Sequence, residues 1–311
     1  MKKIETISLI GLGAMGVFFA PRLAAAYGEN FRVIAQGERK ERLSKKGVTI
    51  NGVNYKFPIV TPDEKGKEAD LILIGVKGYG LDQAIEDIRN QVGEDTLIIS
   101  LLNGVDSEEK LIKAFGEDHV LYGYMRMSIV MKDGKADFDP YNGKVHFGEI
   151  RNQEYSQRVL AVKEVFDKAD IPYEIDPDML YGIWFKFMCN VGENLTCALL
   201  GIPFGGFHVS EHANWIRVNA MREVAAIAQK KGIDIGEKEI ELQEKTVMSL
   251  PAPNKPSTLQ DLEAGKHTEI DMFAGTAIKM GEELGIPTPI CEIFYHGIRV
   301  LEEKNDKVIE F

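Results

Sequence analysis

The chain has 311 residues and a formal net charge of −11, with 44% hydrophobic and 27% charged residues. These proportions are typical of a soluble globular protein and exclude a mainly disordered chain, and the acidic balance without a basic stretch predicts no nucleic-acid partner. No apolar run reaches the roughly 18 residues that cross a bilayer, so we expect no membrane span. Three cysteines without a C-x-x-C pair exclude a disulfide scaffold and favour a cytoplasmic location.

The first half of the chain alternates short apolar runs with helical patterns. The apolar runs predict strands at 7–10, 31–35, 71–76 and 97–101. The patterns between them predict helices at 14–26, 39–46, 81–92 and 108–115. A strand-rich stretch over 120–147, a helix at 153–169 and a strand at 172–175 follow. Because the strands are continuously apolar, we predict a parallel sheet covered on both faces.

A glycine-rich loop follows the first predicted strand, with the sequence Gly11-Leu12-Gly13-Ala14-Met15-Gly16. A G-x-G-x-x-G loop between a strand and a helix binds the pyrophosphate of a dinucleotide, because glycine allows a tight turn and close backbone approach. The N-terminus of the next helix adds partial positive charge. The same glycines count against a signal peptide beginning at Lys2 and Lys3. We therefore predict a Rossmann-type cofactor-binding domain over residues 1–177.

The end of the second predicted strand bears on the choice between NADP and NAD. NAD-binding domains usually place an acidic residue there for the ribose hydroxyls, but this chain has Gln36. Arg39, Lys40 and Arg42 follow and offer positive charge to a 2′-phosphate, so we expect NADP as the cofactor. Glu38 keeps NAD as the alternative.

Two polar residues directly follow buried strands. Lys77 comes after the strand at 71–76, and Asn103 follows the strand at 97–102. Ligands of an open α/β sheet bind outside the carboxyl ends of its strands. Both side chains are therefore candidates for cofactor contacts.

The character of the chain changes at residue 178, where the strand signals stop. Helical patterns predict helices at 179–200, 210–231, 237–248, 270–284 and 289–304. We place the domain boundary at Asp176-Pro177-Asp178 and expect a helical substrate and catalytic domain over 178–311. The predicted fold class is α/β with an all-α C-terminal domain, and we expect the active site between the two domains.

A polar stripe runs along the first of these helices, because Lys186, Asn190 and Asn194 are spaced four residues apart among apolar neighbours. Reduction of a carbonyl group by a nicotinamide needs a cation that stabilises the alkoxide and delivers a proton, and lysine does both. Neutral amides orient an acidic substrate without charge repulsion. We predict Lys186 as the general acid, and a solvated stripe or an internally satisfied polar network is the alternative.

A second polar motif lies between residues 254 and 271. Ser257 and Gln260 fit a capping box, and Glu269 and Asp271 precede another apolar helix. From their spacing alone, helix caps are the simplest interpretation of these residues.

Taken together, the motifs resemble the ketopantoate reductase (2-dehydropantoate 2-reductase) family over essentially the whole chain. The resemblance rests on the glycine loop, Val76-Lys77, Asn103-Gly104, the polar stripe, and Ser257-Thr-Leu-Gln-Asp261 followed by His267-Thr-Glu-Ile-Asp271. The last motif is the most specific, because related dehydrogenases lack it.

The resemblance implies NADPH-dependent reduction of 2-dehydropantoate, a small anionic 2-oxo acid, to (R)-pantoate in the route to pantothenate and coenzyme A. It implies that Lys186 is the general acid and that Glu269 interacts with this lysine and the cofactor region. The implied substrate contacts are Asn103, Asn190, Asn194, Asn254 and Ser257, and the implied cofactor contacts are Gln36, Lys77 and Asn103. A homodimer is one option for the assembly.

Two departures from the family pattern bear on specificity. Gln36 stands where most members carry an arginine for the 2′-phosphate, which weakens the expected preference for NADP. Leu195 stands where a proline is usual, and Phe204 stands where a further asparagine is usual. A different 2-oxo acid is therefore an alternative substrate.

Three other functions compete with this interpretation. A β-hydroxyacid dehydrogenase shares the glycine loop and a Lys-x-x-x-Asn pair but lacks the 257–271 motif. A nucleotide-sensing module keeps the loop without needing Lys186 and Glu269. His208-Val-Ser-Glu211-His212 fits the H-x-x-E-H pattern of a metalloprotease, but Ser210 resembles a helix cap that leaves His208 outside the helix, so we expect no metal.

Overall fold

The structure is a computed structural model that describes residues 3–127 and 129–309. The chain divides into two compact units, Met1–Met179 and Leu180–Phe311, whereas the sequence places the boundary at residues 176–178. Every described strand belongs to the first unit, and the described part of the second unit is built from helices.

The strands of the first unit are short, and most of them coincide with apolar runs of the sequence. In chain order they are β1 (Ile7–Ile10), β2 (Phe31–Ile34), β3 (Val48–Ile50), β4 (Val53–Tyr55), β5 (Ile59–Val60), β6 (Ala69–Ile74), β7 (Val92–Ser100), β8 (Val120–Arg126), β9 (Met131–Lys132), β10 (Lys135–Ala136), β11 (Lys144–Gly148) and β12 (Tyr173–Glu174).

Eight of these strands form one sheet with the order β12-β11-β8-β7-β6-β1-β2-β5. Neighbouring strands are parallel except for β8 and β11, which pair antiparallel. All four residues of β1 are buried, as expected for a strand with helices on both faces of its sheet. This confirms the predicted parallel sheet. A smaller sheet orders β4-β3-β10-β9, and sequence analysis missed β3, β4 and β5 because each has only two or three residues.

The helices of the first unit cover the larger sheet. They are α1 (Gly16–Tyr27), α2 (Gly37–Lys46), α3 (Leu81–Ile88), α4 (Ser107–Phe115) and α5 (Gln157–Lys168). The α1 residues Phe18 and Phe19 are fully buried in a core that also contains Leu71 and Phe166. Burial of such side chains contributes about 1.5–3 kcal/mol each. The position of α1 against the sheet is therefore strongly determined.

The C-terminal half contains α6 (Met179–Cys189), α7 (Leu195–Leu200), α8 (Gly205–Val209), α9 (Glu211–Lys230), α10 (Glu237–Ser249), α11 (Ser257–Glu263), α12 (Thr276–Leu284) and α13 (Pro289–Asn305). The predicted continuous helix over 179–200 is wrong in one respect, because a π-helical turn at Asn190–Asn194 interrupts it. A second π turn at Asp271–Gly275 precedes α12. Such turns insert an extra residue into a helix and often occur at functional sites.

A helix break separates the two histidines of the H-x-x-E-H sequence. His208 belongs to α8, and Ser210 caps α9 by accepting a hydrogen bond from the backbone N–H of Ala213 at 3.1 Å. The predicted cap at Ser210 is therefore confirmed. In the described ranges, no three His, Cys, Asp or Glu side chains are grouped so that they could hold a metal ion. No described helix combines the length and apolar character that crossing a membrane requires.

Candidate active site

The glycine loop between β1 and α1 has room for a ligand at its centre. Gly11 has φ +96°, and a Cβ there would lie 2.4 Å from the carbonyl carbon of Gly75. A Cβ on Gly16 would lie 2.2 Å from the Gly11 carbonyl oxygen, whereas nothing lies within 4 Å of a Cβ built on Gly13. The first and third glycines are needed for packing within the chain, and the second leaves space for a pyrophosphate. The loop therefore fits a dinucleotide.

The remaining residues of the loop anchor it to the core. Leu12 is buried, and Ala14 and Met15 pack half-buried against the same cluster of apolar side chains. The Gly13 N–H donates to the Gly11 carbonyl at 2.9 Å, and the Val17 N–H donates to the Gly13 carbonyl at 3.0 Å. The loop thus leads directly into α1, whose N-terminus carries partial positive charge.

Gln36 is exposed at the end of β2, directly before α2. Its Nε2 donates to Asp87 Oδ1 at 3.0 Å, and Gln83 Nε2 donates to the same oxygen at 2.8 Å. Arg39 on α2 interacts electrostatically with Tyr79, whose side chain is highly exposed. An acidic and a basic group therefore both lie near the strand end where a cofactor ribose is expected.

Lys77 and Asn103 follow adjacent strands of the sheet. Lys77 is half-buried three residues after β6, and Asn103 is half-buried three residues after β7. Because β7, β6 and β1 are neighbouring parallel strands, their carboxyl ends lie at one edge of the sheet. The sheet therefore brings the elements carrying Lys77 and Asn103 to the edge that bears the glycine loop.

A buried polar chain supports the loop that carries Asn103. Ser100 Oγ donates to Ser107 Oγ at 2.8 Å, and Ser107 Oγ donates to Glu108 Oε2 at 2.8 Å. Burial raises the pKa of Glu108 to about 7, although hydrogen bonds from Ser107 and the Gly123 backbone favour the charged form. This cluster was not predicted, and its signal in the sequence was the polar residue Ser100 within the apolar run at 97–101.

In the C-terminal half, the predicted stripe lies on α6 and the first π turn. Lys186, Asn190 and Asn194 are half-buried between residues that are mostly buried. Asn194 Nδ2 donates to Asn190 Oδ1 at 3.4 Å, so the two amides remain neighbours across the π turn. The two asparagines therefore form one polar pair, and Lys186 precedes them on α6 with the same partial exposure.

The capping box predicted at Ser257 is wrong. Pro256 occupies the cap position with extended backbone, and Ser257 is the exposed first residue of α11. Gln260 Nε2 donates to the Lys255 carbonyl at 2.6 Å instead. The exposed Asn254 accepts a hydrogen bond at its backbone carbonyl from the Phe204 N–H at 2.9 Å. The hydroxyl of Ser257 is thus not used for a cap.

Glu269 is half-buried in a segment held by α13. The backbone N–H and Oγ1 of Thr268 both donate to Glu302 Oε1 at 2.7 Å, and Arg299 Nη1 donates to Glu302 Oε2 at 2.7 Å. Asp271 forms an ion pair with Arg299, so it is not the helix cap that its position indicated. These bonds fix Thr268, directly before Glu269, and Asp271, two residues after it.

The elements of the second unit that carry predicted substrate residues pack together. The first π turn contacts α7, α11 and the second π turn. Asn190, Asn194 and Ser257 therefore lie on mutually contacting elements, and the Glu269 segment directly precedes the second π turn.

Comparisons with known proteins assign both units to the same family. Residues 7–152 match the family model "Ketopantoate reductase PanE/ApbA", and residues 178–302 match "Ketopantoate reductase PanE/ApbA C terminal". A 2-dehydropantoate 2-reductase from Streptococcus pyogenes serotype M6 is 27% identical over 302 residues, covering 95% of this chain and 97% of that protein.

Solved structures show the same fold. A D-mandelate dehydrogenase in complex with NADH and anilino(oxo)acetate has a TM-score of 0.84 at 23% identity, covering 97% of this chain and 99% of that one. A dimeric ketopantoate reductase from Staphylococcus aureus has a TM-score of 0.80 at 18% identity, covering 96% and 99% of the two chains. The predicted Rossmann-type domain followed by a helical domain is therefore confirmed.

Proposed function

Because the chain belongs to the ketopantoate reductase family and is an NADP-dependent oxidoreductase, we propose that it reduces 2-dehydropantoate to (R)-pantoate with NADPH. The observation that carries the proposal is the half-buried series Lys186, Asn190 and Asn194. Its two amides lie 3.4 Å apart, on a π turn that packs against the helix beginning at Ser257. A cation and several neutral donors are what recognition and reduction of an anionic carbonyl compound require.

The cofactor would be held by the first unit. The open backbone at Gly13 and the N-terminus of α1 would receive the pyrophosphate, and Lys77 and Asn103 would contact the cofactor from neighbouring strand ends. When bound, the reduced nicotinamide supplies a hydride for the carbonyl carbon of the substrate.

Lys186 would act on the substrate oxygen. As the carbonyl carbon accepts the hydride, the oxygen gains negative charge, which the ammonium group of Lys186 stabilises before donating a proton to it. Asn190, Asn194, Asn254 and Ser257 would orient the substrate by hydrogen bonds without adding charge. Glu269 would interact with Lys186 and the cofactor region.

A second candidate substrate is a 2-oxo acid with an apolar side chain. Phe204 is joined to Asn254 by a backbone hydrogen bond of 2.9 Å, and its ring lies 6.5 Å from that of Phe207. An aromatic ring beside a proposed substrate contact would favour an apolar substituent over a hydroxyl group.

Initial rates of NADPH oxidation decide between these candidates. We expect a higher kcat/KM with 2-dehydropantoate than with phenylglyoxylate, and a higher kcat/KM with NADPH than with NADH. A preference for phenylglyoxylate would support the second candidate, and oxidation of NADPH by neither acid would refute the proposed function.

The proposal includes a cytoplasmic homodimer that serves pantothenate synthesis. The dimeric Staphylococcus aureus reductase with the same fold supports this assembly. Sedimentation equilibrium would test it, with a mass twice that of the chain as the expected result.

A further inference from the structure

A buried ion pair and a hydrogen bond, which the proposed chemistry does not use, join the first π turn to two other helices. Glu193 lies between the two asparagines and has a side chain only 7% exposed, and the Arg217 side chain of α9 is 1% exposed. Arg217 Nη1 lies 3.5 Å from Glu193 Oε1, and Gln243 Nε2 of α10 donates to the same oxygen at 2.8 Å. Glu193 thus joins the π turn to α9 and α10.

Arg217 is itself held from several sides. Its Nε donates to Asn214 Oδ1 at 3.2 Å, its Nη2 lies 3.8 Å from Glu244 Oε1, and its guanidinium carbon lies 5.3 Å from the centre of the Phe207 ring. Burial of two charges is costly unless further hydrogen bonds compensate. These contacts fix the position of the Arg217 guanidinium group. Because Glu193 pairs with this group, the direction of the Glu193 side chain is narrowly determined as well.

Close backbone packing adds to this restraint. A Cβ built on Gly192 would lie 3.0 Å from the Arg217 carbonyl oxygen and 2.5 Å from Met221 Cγ. The π turn therefore lies directly against α9. Val191, Gly192 and Glu193 are buried on this side, while Asn190 and Asn194 are half-exposed.

We propose that Glu193 is a positioning residue, whose ion pair with Arg217 holds the π turn so that Asn190 and Asn194 bind the 2-oxo acid together. This inference rests on the proposed function. The contacts of the Glu193 carboxylate with Arg217 and Gln243 keep the turn seated against α9. Replacement of this carboxylate leaves Arg217 buried without its partner and loosens the turn. Substrate affinity then falls, while dinucleotide binding, assigned to the first unit, stays the same.

The test is the KM for 2-dehydropantoate at pH 8 in wild type, Glu193→Gln and Glu223→Gln. Glu223 is a matched control because it is a half-buried carboxylate on the same helix as Arg217, and it accepts hydrogen bonds from Ile290 and Cys291. We expect Glu193→Gln to raise KM about tenfold and to change kcat less than threefold. Glu223→Gln should keep the wild-type KM.

A KM for Glu193→Gln that equals the wild-type KM would overturn the proposal. A purely structural role would lower the thermal midpoint without moving KM, and this outcome would overturn it as well. If Glu193→Gln fails to fold, Arg217→Gln replaces it. Loss of the cation should also raise KM about tenfold, and a wild-type KM would count against the pair.

Hydrogen exchange separates failure of this inference from failure of the proposed function. In the absence of substrate, the amides of residues 190–194 should exchange about tenfold faster in Glu193→Gln than in wild type or Glu223→Gln. If exchange is faster in Glu193→Gln but wild type does not reduce 2-dehydropantoate, the proposed substrate is refuted. The role of Glu193 in holding the turn is then still supported. Unchanged exchange would refute that role directly.

Discussion

Gln36 Nε2 donates a hydrogen bond to Asp87 Oδ1 at 3.0 Å, so a carboxylate lies at the end of β2. The ribose of a bound dinucleotide is expected at this strand end. A 2′-phosphate there would be repelled by Asp87 and attracted by Arg39 and Arg42 on α2. The strength of the preference for NADPH over NADH therefore depends on the balance between repulsion of the 2′-phosphate by Asp87 and its attraction by Arg39 and Arg42.

Asp87→Asn should shift that balance toward NADPH. Because the change removes a negative charge beside the proposed phosphate position, we expect the KM for NADPH to fall about threefold to tenfold relative to that for NADH. Steady-state kinetics with both cofactors measures the ratio. Glu86→Gln is the control, since Glu86 is an exposed neighbour paired with Arg89. An equal ratio in Asp87→Asn and wild type would contradict this prediction.

The glycine loop predicts opposite outcomes for two alanine substitutions. Gly13→Ala has open space for its methyl group, so the protein should fold normally, while its affinity for NADPH should fall at least tenfold. Gly16→Ala would place a methyl group 2.2 Å from the Gly11 carbonyl oxygen and should destabilise the first unit by several kcal/mol. Thermal unfolding and NADPH titration measure both effects. Normal NADPH binding by Gly13→Ala would refute the assigned role of the loop.

Lys186→Ala tests the proposed general acid. Removal of the ammonium group should lower kcat by about 10²–10⁴-fold, because the substrate oxygen loses both its stabilising charge and its proton donor. NADPH affinity should stay within about twofold of wild type, since Lys186 is not among the proposed cofactor contacts. Lys279→Ala, an exposed lysine of α12, is the matched control. Near-normal turnover of Lys186→Ala would remove this residue from the mechanism.

Glu108 should make the stability of the first unit depend on pH. Its pKa is raised from 4.5 to about 7 by burial, so the folded chain binds this proton more tightly than the unfolded chain. The free energy of unfolding therefore decreases as pH rises from about 4.5 to about 7, by on the order of 2–3 kcal/mol from this group. Urea unfolding across this range should show a flatter profile for Glu108→Gln. Glu109→Gln, at the exposed neighbour, should keep the wild-type slope.

Local patterns were sufficient to predict most of the fold. Continuous apolar runs such as 7–10 and 97–101 predicted strands buried on both faces, because a parallel sheet covered by helices allows few polar residues. The glycine loop predicted a strand-to-helix turn, since a side chain at Gly11 or Gly16 would collide with the backbone. A helix end that is capped by a side chain, such as the start of α9 at Ser210, was also predictable from the sequence.

Other features depend on contacts between residues far apart in the chain. Nothing in the local sequence distinguishes the π turn at Asn190–Asn194 from a regular helix, because its extra residue is stabilised by Gly192 and Glu193 packing against α9 and α10. Pro256, not Ser257, is the N-cap residue of α11, so the expected capping box does not form. The Glu269 segment is held by hydrogen bonds to α13 and not by a helix cap.

The sequence by itself thus determined which residue types carry the chemistry, because motif spacing along a strand end or a helix is a local property. Only the tertiary structure decided how those residues are held. The hydrogen bond from Gln36 to Asp87 and the ion pair of Glu193 with Arg217 join residues 51 and 24 positions apart, and burial determines the charge of Glu193 and Glu108. Burial and long-range pairing follow from packing of the whole unit, which no short segment specifies.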